Sequence, residues 1–332
     1  MTGISDVDTV VAVNLASLDL NLLVSLDALL QQRSVTRAAS QMGLSQPALS
    51  ASLARLRRHF GDELLTRVGN EYRLTPLALQ LRDLARLALS GVERVFTAQT
   101  EFDPASSTRE FTLLISDYGV AVLGDTIAAL LAEEAPHARL RLTANTPSAV
   151  DRADQILLST DLLVLPHGFV SDLSHLDLYR DEWVCVVSSD NPAVEDELTV
   201  EHLETLPWVV TFHGPTAATP ASRQMRMRGI EPNVQVITEN FLTVPGLVAG
   251  SERIALLQRR LVELLPLDIG LRALPPPVEV GQLVEAMWWH PVFDDDPEHA
   301  YLRDVVSRAA ELASGDSLPI GIEAADIPPH KK

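Results

Sequence analysis

With 332 residues and 46% hydrophobic side chains, the chain is long enough for two or three packed domains. Its formal net charge is −19, but residues 1–100 carry ten basic and nine acidic side chains, while residues 101–332 carry sixteen against thirty-six. This excludes a polycation that binds nucleic acid over its whole surface and confines such contact to the N-terminal segment, although an acidic body also serves plain solubility.

Residues 1–17 read as a disordered extension. They hold acids where a secretory leader has a basic segment, and no apolar run in the chain reaches membrane-spanning length. A soluble, cytoplasmic, nucleoid-associated protein is expected, with no membrane partner. Leu18–Gln32 then predicts a helix whose apolar face is Leu22, Leu23, Leu26, Leu29 and Leu30.

From Ser34 to Pro76 the order is a short helix (Val35–Met42), a turn at Gly43-Leu44, a helix opened by Ser45-Gln46-Pro47, and a hairpin Leu64–Leu74 with Gly69-Asn70 at its tip. Ser34 and Ser45 suit N-caps, and Pro47 falls in a first turn where its missing N–H costs little. Leu49, Leu53, Leu56 and Phe60 mark the buried stripe. The opposite face carries Pro47, Ala51, Ala54 and Arg58, flanked by Ser50 and Arg57 on one side and Ala48 and Arg55 on the other. This is the order of a winged helix-turn-helix, residues 18–75, which puts one helix in the major groove. Residues 33–73 hold seven arginines against three acids, unlike the rest of the chain. A helical hairpin with surface arginines is the plainer reading. Gln46 and Ser50 are the expected base contacts, and Gln can pair bidentately with adenine. Arg37, Ser45, Pro47, Arg55, Arg57, Arg58, Arg67 and Arg73 complete the expected DNA face.

The string AASQMGLSQPALSASLARLRRHFGDELLTR followed by LTP resembles the signature of LysR-type transcriptional regulators. Ala51 and Arg57 depart from that pattern, where many members carry a base and an acid respectively. The resemblance implies a DNA-binding regulator rather than an enzyme. No G-x-S-x-G, H-E-x-x-H, P-loop or G-x-G-x-x-G occurs, so no catalytic residue is assigned. The nine histidines are scattered and the sole cysteine, Cys185 in WVCVV, has no metal-like spacing, so neither metal nor cofactor is expected. Cys185 reads as core rather than a redox sensor, and no intrachain disulfide can form.

Residues 76–99 predict a long helix too rich in leucine (77, 81, 84, 87 and 89) for one narrow stripe. Either it packs within the chain or it pairs with its copy; the resemblance implies a dimer, and beyond it a tetramer and contact with RNA polymerase. Asp103-Pro104-Ala105-Ser106-Ser107 reads as a hinge. Past it, REFTLLIS, ARLRLTA, DLLVLP (161–166), EWVCVVS, PWVVTF (207–212), VQVIT (234–238), IALLQ (254–258) and Leu283–Trp288 alternate with helices, which predicts parallel, doubly wound sheet. The whole is an α+β multidomain chain. Residues 108–313 resemble a two-lobed α/β fold of the type II periplasmic-binding-protein kind, lobe I about 108–187 and 285–313, lobe II about 188–284. A disordered tail, residues 314–332, is expected to follow.

Ligands in such folds sit between lobes, at strand ends and helix starts. Ser116, Asp117, Tyr118, Pro166, His167, Phe212, His213, Asn240 and Phe241 fit those places and suit a planar ligand with a carboxylate or phenol. WWHPVFDDDPEHAYLRD is similar to the WH…DP…WLR signature of the nodulation- and salicylate-regulator branch, with Tyr301 in place of a tryptophan. That likeness implies an aromatic effector, an aromatic acid or a phenolic. A non-aromatic metabolite is the alternative; a free-standing solute-binding protein or an enzyme without a DNA role are further ones.

Overall fold

In a computed structural model, the structure describes residues 19–69, 71–97, 102–213 and 218–315. The expected extension, Asn70 at the hairpin tip, the last two residues of the linker and nearly all of the tail lie outside the described residues. The chain divides into two compact units between Ala98 and Gln99, each with its own core.

In the first unit, α1 (Leu20–Gln32), α2 (Val35–Gln41) and α3 (Gln46–Phe60) pack around Leu26, Leu29, Leu30, Leu49, Leu53 and Leu56. Ser34 Oγ accepts from the Arg37 N–H at 3.4 Å, and Ser45 Oγ from the Ala48 N–H at 3.3 Å. Gly43, at φ 65°, makes the turn between α2 and α3, where a side chain would be strained. Strands β1 (Leu65–Val68) and β2 (Glu71–Leu74) pair antiparallel as the wing. The helix α4 (Pro76–Thr97) packs on α1 through Ala78 and Ala85.

The second unit is built on two five-stranded sheets. Lobe I orders β4 (Arg139–Thr143), β3 (Glu110–Leu114), β5 (Leu162–Pro166), β12 (Leu283–Trp289) and β6 (Ser174–Asp181). Lobe II orders β11 (Leu271–Leu274), β7 (Trp183–Ser188), β10 (Ile254–Gln258), β8 (Pro207–Thr211) and β9 (Asn233–Thr238). The sheets are mixed rather than wholly parallel. Strands β3, β4 and β5 run parallel, and so do β8, β9 and β10, but β12 is antiparallel to β5 and β6, and β7 to β10 and β11. The antiparallel strands are the ones next to the two places where the chain changes lobe.

Those places correct the expected lobe limits. WVCVVS is β7 and pairs with β10 and β11, so the first crossing falls at Asp181–Trp183, not after residue 187. The return lies between β11 and β12, which starts at Leu283 and belongs to lobe I. Cys185 sits buried on β7 between β10 and β11, and burial pushes its thiol well above the usual range. In lobe I, α5 (Asp117–Glu134) packs beside the terminal helix, Pro297–Gly315. Arg109 bridges Asp161 and Glu298 at one end of that layer, and Arg308 binds Glu134 at 2.6 Å. Among the described residues no helix is long and apolar enough to cross a membrane.

Candidate DNA-reading face and effector cleft

Helix α3 turns Leu49, Leu53 and Leu56 inward and leaves Gln46, Pro47, Ser50, Ala51, Ala54 and Arg58 exposed, as a groove-reading helix requires. Small side chains there let the helix approach base edges. Ser45 is occupied as the N-cap. The arginines divide. Arg58 and Arg73 have no ion pair among the described residues. Arg37 donates to the Gln32 carbonyl at 2.6 Å, and Arg55 pairs with Asp19 at 3.1 Å. Arg57 is turned back on its own chain. Its Nε donates to the Glu63 carbonyl at 2.8 Å and its Nη2 to the Leu65 carbonyl at 3.0 Å. It therefore ties α3 to the start of the wing. Arg57→Ala is expected to cost about 1–2 kcal/mol of stability in this unit, read as a lowered melting temperature without DNA. Arg67 pairs across the hairpin with Tyr72, and Arg73 with Thr66, so the two point to opposite faces of the wing.

In the second unit a cleft opens between the lobes. Lobe I contributes Ser116 and Tyr118 from the start of α5, Asn145, Thr146 and Pro147 after β4, Pro166 and Phe169 after β5, and Leu283 and Glu285 from β12. Lobe II contributes Trp183, Phe212, Thr219, Phe241 and Gln258. Five rings thus wall the cleft, and Phe241 stacks edge-on against Tyr118 at 6.3 Å and Phe212 at 5.8 Å. Phe212 sits at φ 57°, a left-handed conformation costly for an aromatic residue, pinned by its N–H donating to the Thr238 carbonyl. Among the described residues that line the cleft there is no lysine, arginine or histidine.

Among the polar groups lining this largely apolar space, three are buried and bear on a ligand. The Trp183 Nε1–H and the Gln258 Oε1 are buried without a hydrogen-bond partner among the described residues. Glu285 is 2% exposed, and burial, helped by the nearby Asp181 carboxylate, pushes it up to about 8. It is mostly protonated near neutrality and can donate a hydrogen bond. It stands beside a bulge in the β12–β6 pairing, the kind of irregularity that re-aims a side chain. Tyr118 donates its hydroxyl to Asp181 at 2.6 Å. Burial, then the neighbouring Tyr179 and Asp181, raises Tyr118 far above the usual phenol range, so it stays protonated.

Of the nine residues expected at the effector site, Ser116, Tyr118, Pro166, Phe212 and Phe241 line the cleft. Asp117 and Asn240 line a second hollow beside it. Asp117 accepts from the Leu242 N–H at 2.8 Å and so latches lobe I to lobe II. His167 and His213 are exposed and outside the lining. Trp183, Gln258, Glu285 and Phe169 were not expected. A second latch is Arg223, which donates to the Gly168 carbonyl at 2.9 Å and lies over the Phe169 ring at 4.3 Å.

A helix-turn-helix unit joined to a two-lobed ligand-binding domain defines a ligand-responsive transcriptional regulator. Residues 20–79 match the profile of the bacterial regulatory helix-turn-helix protein, lysR family, and residues 104–308 that of the LysR substrate binding domain. The chain belongs to the LysR family of transcriptional regulators. It is 32% identical to nodulation protein D 2 of Rhizobium tropici, covering 92% of this chain and 98% of the relative. It is 36% identical to nodulation protein D 3 of Rhizobium leguminosarum bv. phaseoli, covering 89% and 98%. A probable transcriptional regulator of Pseudomonas aeruginosa shares the fold at a TM-score of 0.66 and 26% identity, covering 89% of this chain and 98% of that one. CbnR in complex with its target DNA shares it at 0.62 and 13% identity, covering 88% and 100%.

Proposed function

We propose that this regulator responds to an uncharged, hydroxylated aromatic molecule held in the interlobe cleft. The cleft itself carries this reading: five rings, no lining cation, and the unpartnered Trp183 N–H and Gln258 Oε1 beside a protonated Glu285. Rings stack on a planar ligand, and the three polar groups give phenolic hydroxyls donors and acceptors. An aromatic carboxylate would be buried against Glu285 with no cation to offset its desolvation. A direct test is to titrate the full chain with neutral polyphenols, benzoate-type acids and sugars, following tryptophan fluorescence. Saturable binding of acids or sugars alone would refute the assignment.

Effector binding acts by favouring one arrangement of the lobes, through the Asp117 and Arg223 latches that cross the cleft. On the DNA side, Gln46 and Ser50 read bases while Pro47, Arg58, Arg67 and Arg73 position the unit on phosphate. Gln46→Ala is expected to reduce the preference for the DNA upstream of the chain's own gene over random DNA by about 1–3 kcal/mol, measured by fluorescence anisotropy. Arg67→Ala should weaken binding to both DNAs alike and shallow the salt dependence. Equal losses for Gln46→Ala on the two DNAs would remove it from base reading.

A homodimer forms through α4. Leu84, Val95 and Phe96 on that helix are 59%, 74% and 81% exposed, more apolar surface than a solvated helix carries. A two-fold dimer offers two recognition helices to two half-sites. A tetramer, a cytoplasmic location, contact with RNA polymerase and a purely regulatory, non-catalytic role complete the reading.

A further inference from the structure

We propose that His167, His175 and Asp177 form a binding site for a borderline divalent metal ion of the zinc, nickel or cobalt kind, on the exposed face of lobe I outside the effector cleft. One ligand atom from each of the three lies within 4.8 Å of the others. The topology assembles them. His175 and Asp177 are two apart on β6, so they share one side of the sheet. His167 follows β5, and β12 runs between the two strands with Trp288 opposite His175.

The side chains are held ready. The His175 ring stacks on Trp288 at 4.6 Å and 30°, and His167 meets the same indole edge-on at 5.0 Å. Trp288 is itself fixed, its Nε1–H donating to the Leu165 carbonyl at 2.7 Å. His167 is anchored by its backbone N–H to the Val284 carbonyl, and Gly168, at φ 96°, turns the chain immediately after it. His175 Nδ1 faces the Leu173 carbonyl at 3.5 Å, the outer contact that leaves Nε2 available as a ligand. His167 Nε2 and Asp177 Oδ1 stand 2.6 Å apart. Tetrahedral donors about 2.0–2.1 Å from a metal are about 3.3 Å from one another, so a small side-chain rotation opens the pair to admit the ion.

Two imidazoles and one carboxylate favour zinc, nickel, cobalt or copper over magnesium or calcium, which prefer all-oxygen sets. Water would fill the remaining positions. Pro166 and Phe169, on either side of His167, line the effector cleft, so the site would brace the same loop that walls the ligand.

The test is isothermal titration of the full chain, stripped with chelator, against Zn²⁺, Ni²⁺ and Mg²⁺. The expected result is one saturable site for Zn²⁺ and Ni²⁺, none for Mg²⁺, and at least a tenfold loss of affinity in both His175→Ala and Asp177→Asn. Circular dichroism and thermal melting without metal should be unchanged in Asp177→Asn, which leaves the Trp288 stack intact. Quenching of indole fluorescence by Ni²⁺ should saturate with the same stoichiometry and be lost in the same variants. Absence of saturable Zn²⁺ and Ni²⁺ binding would overturn the proposal. So would binding that survives both substitutions, since the ion would then be held elsewhere.

Discussion

Glu285→Gln is expected to make the effector-binding domain more stable than the parent at pH 8, with the advantage disappearing by about pH 5. In the folded protein burial and Asp181 push this carboxyl up to about 8, from an ordinary value of 4.5. Below 4.5 both the folded and the unfolded chain hold the proton, and the group contributes its full share. As pH rises past that point the unfolded chain releases the proton while the folded chain keeps it. Stability therefore falls up to about pH 8, where the folded protein must also ionise. At about 1.36 kcal/mol per pH unit the loss is on the order of 4–5 kcal/mol. Glutamine copies the protonated carboxyl in shape and polarity and does not titrate. Asp181, itself raised chiefly by burial, adds a loss of the same sign, and because the two carboxyls repel, the difference between the proteins reads Glu285 together with its repulsion of Asp181. Thermal denaturation from pH 5 to 8.5 measures it. A gap that stays constant across that range would mean that Glu285 is ionised in the folded protein.

Leu49→Asp should abolish binding to all DNA while leaving the second unit folded. Leu49 is fully buried on α3, among Leu29, Leu30, Leu53 and Leu56. A carboxylate there has no partner and cannot reach water without undoing the helix packing. The cost exceeds about 4 kcal/mol, most of what a domain this small possesses. Leu49→Ala, which leaves only a cavity, should cost about 3–5 kcal/mol and serves as the milder member of the pair. Scanning calorimetry should show the transition of the first unit lost in Leu49→Asp and that of the second unchanged. Loss of effector binding in the same variant would show that the two cores do not fold independently.

The DNA-reading unit was legible in the sequence because its signals are local. Ser34 and Ser45 cap the helices they precede, and the leucines of α3 repeat at helical spacing in an unbroken stretch. What could not be read locally was which arginines were already engaged. Arg57 looks free on a helical wheel, yet its partners are carbonyls six and eight residues further on, in a wing whose path is tertiary. The cleft was half legible. Strand-end reasoning reaches Ser116, Tyr118, Pro166, Phe212 and Phe241, since they follow apolar runs. Trp183, Gln258 and Glu285 lie inside or at the edge of such runs and read as core. The usable sign was a lone acid in LVEAMWW, because an unpaired carboxyl in a central strand needs a reason.

The expected lobe limits depended on sequence order where space decided. The crossing at Asp181–Trp183 carries no glycine or proline, so LDLYRDEWVCVV gives no mark of a change of lobe. The WWHPVFDDDP segment carried the likeness to the nodulation-regulator branch, and in the structure its residues build lobe I. Trp289 donates to Asp294 at 2.7 Å, and Asp296 caps the terminal helix by accepting from the His299 N–H at 3.1 Å. His299 stacks on Phe293 with the ring planes 4° apart. A shared motif can record a common way of packing a helix as readily as a common ligand.

The position of Cys185 gives the molecule an internal clock. It is the chain's single thiol, shut in the middle of the lobe II sheet with its ionisation suppressed. A thiol reagent can reach it only when the core packed over β7 opens, so the rate of labelling counts openings of that core. If a ligand draws the lobes together, it should stiffen the same strand through Trp183, two residues away on the cleft wall. A slower clock would thus register occupancy of the cleft from a residue that never touches what fills it.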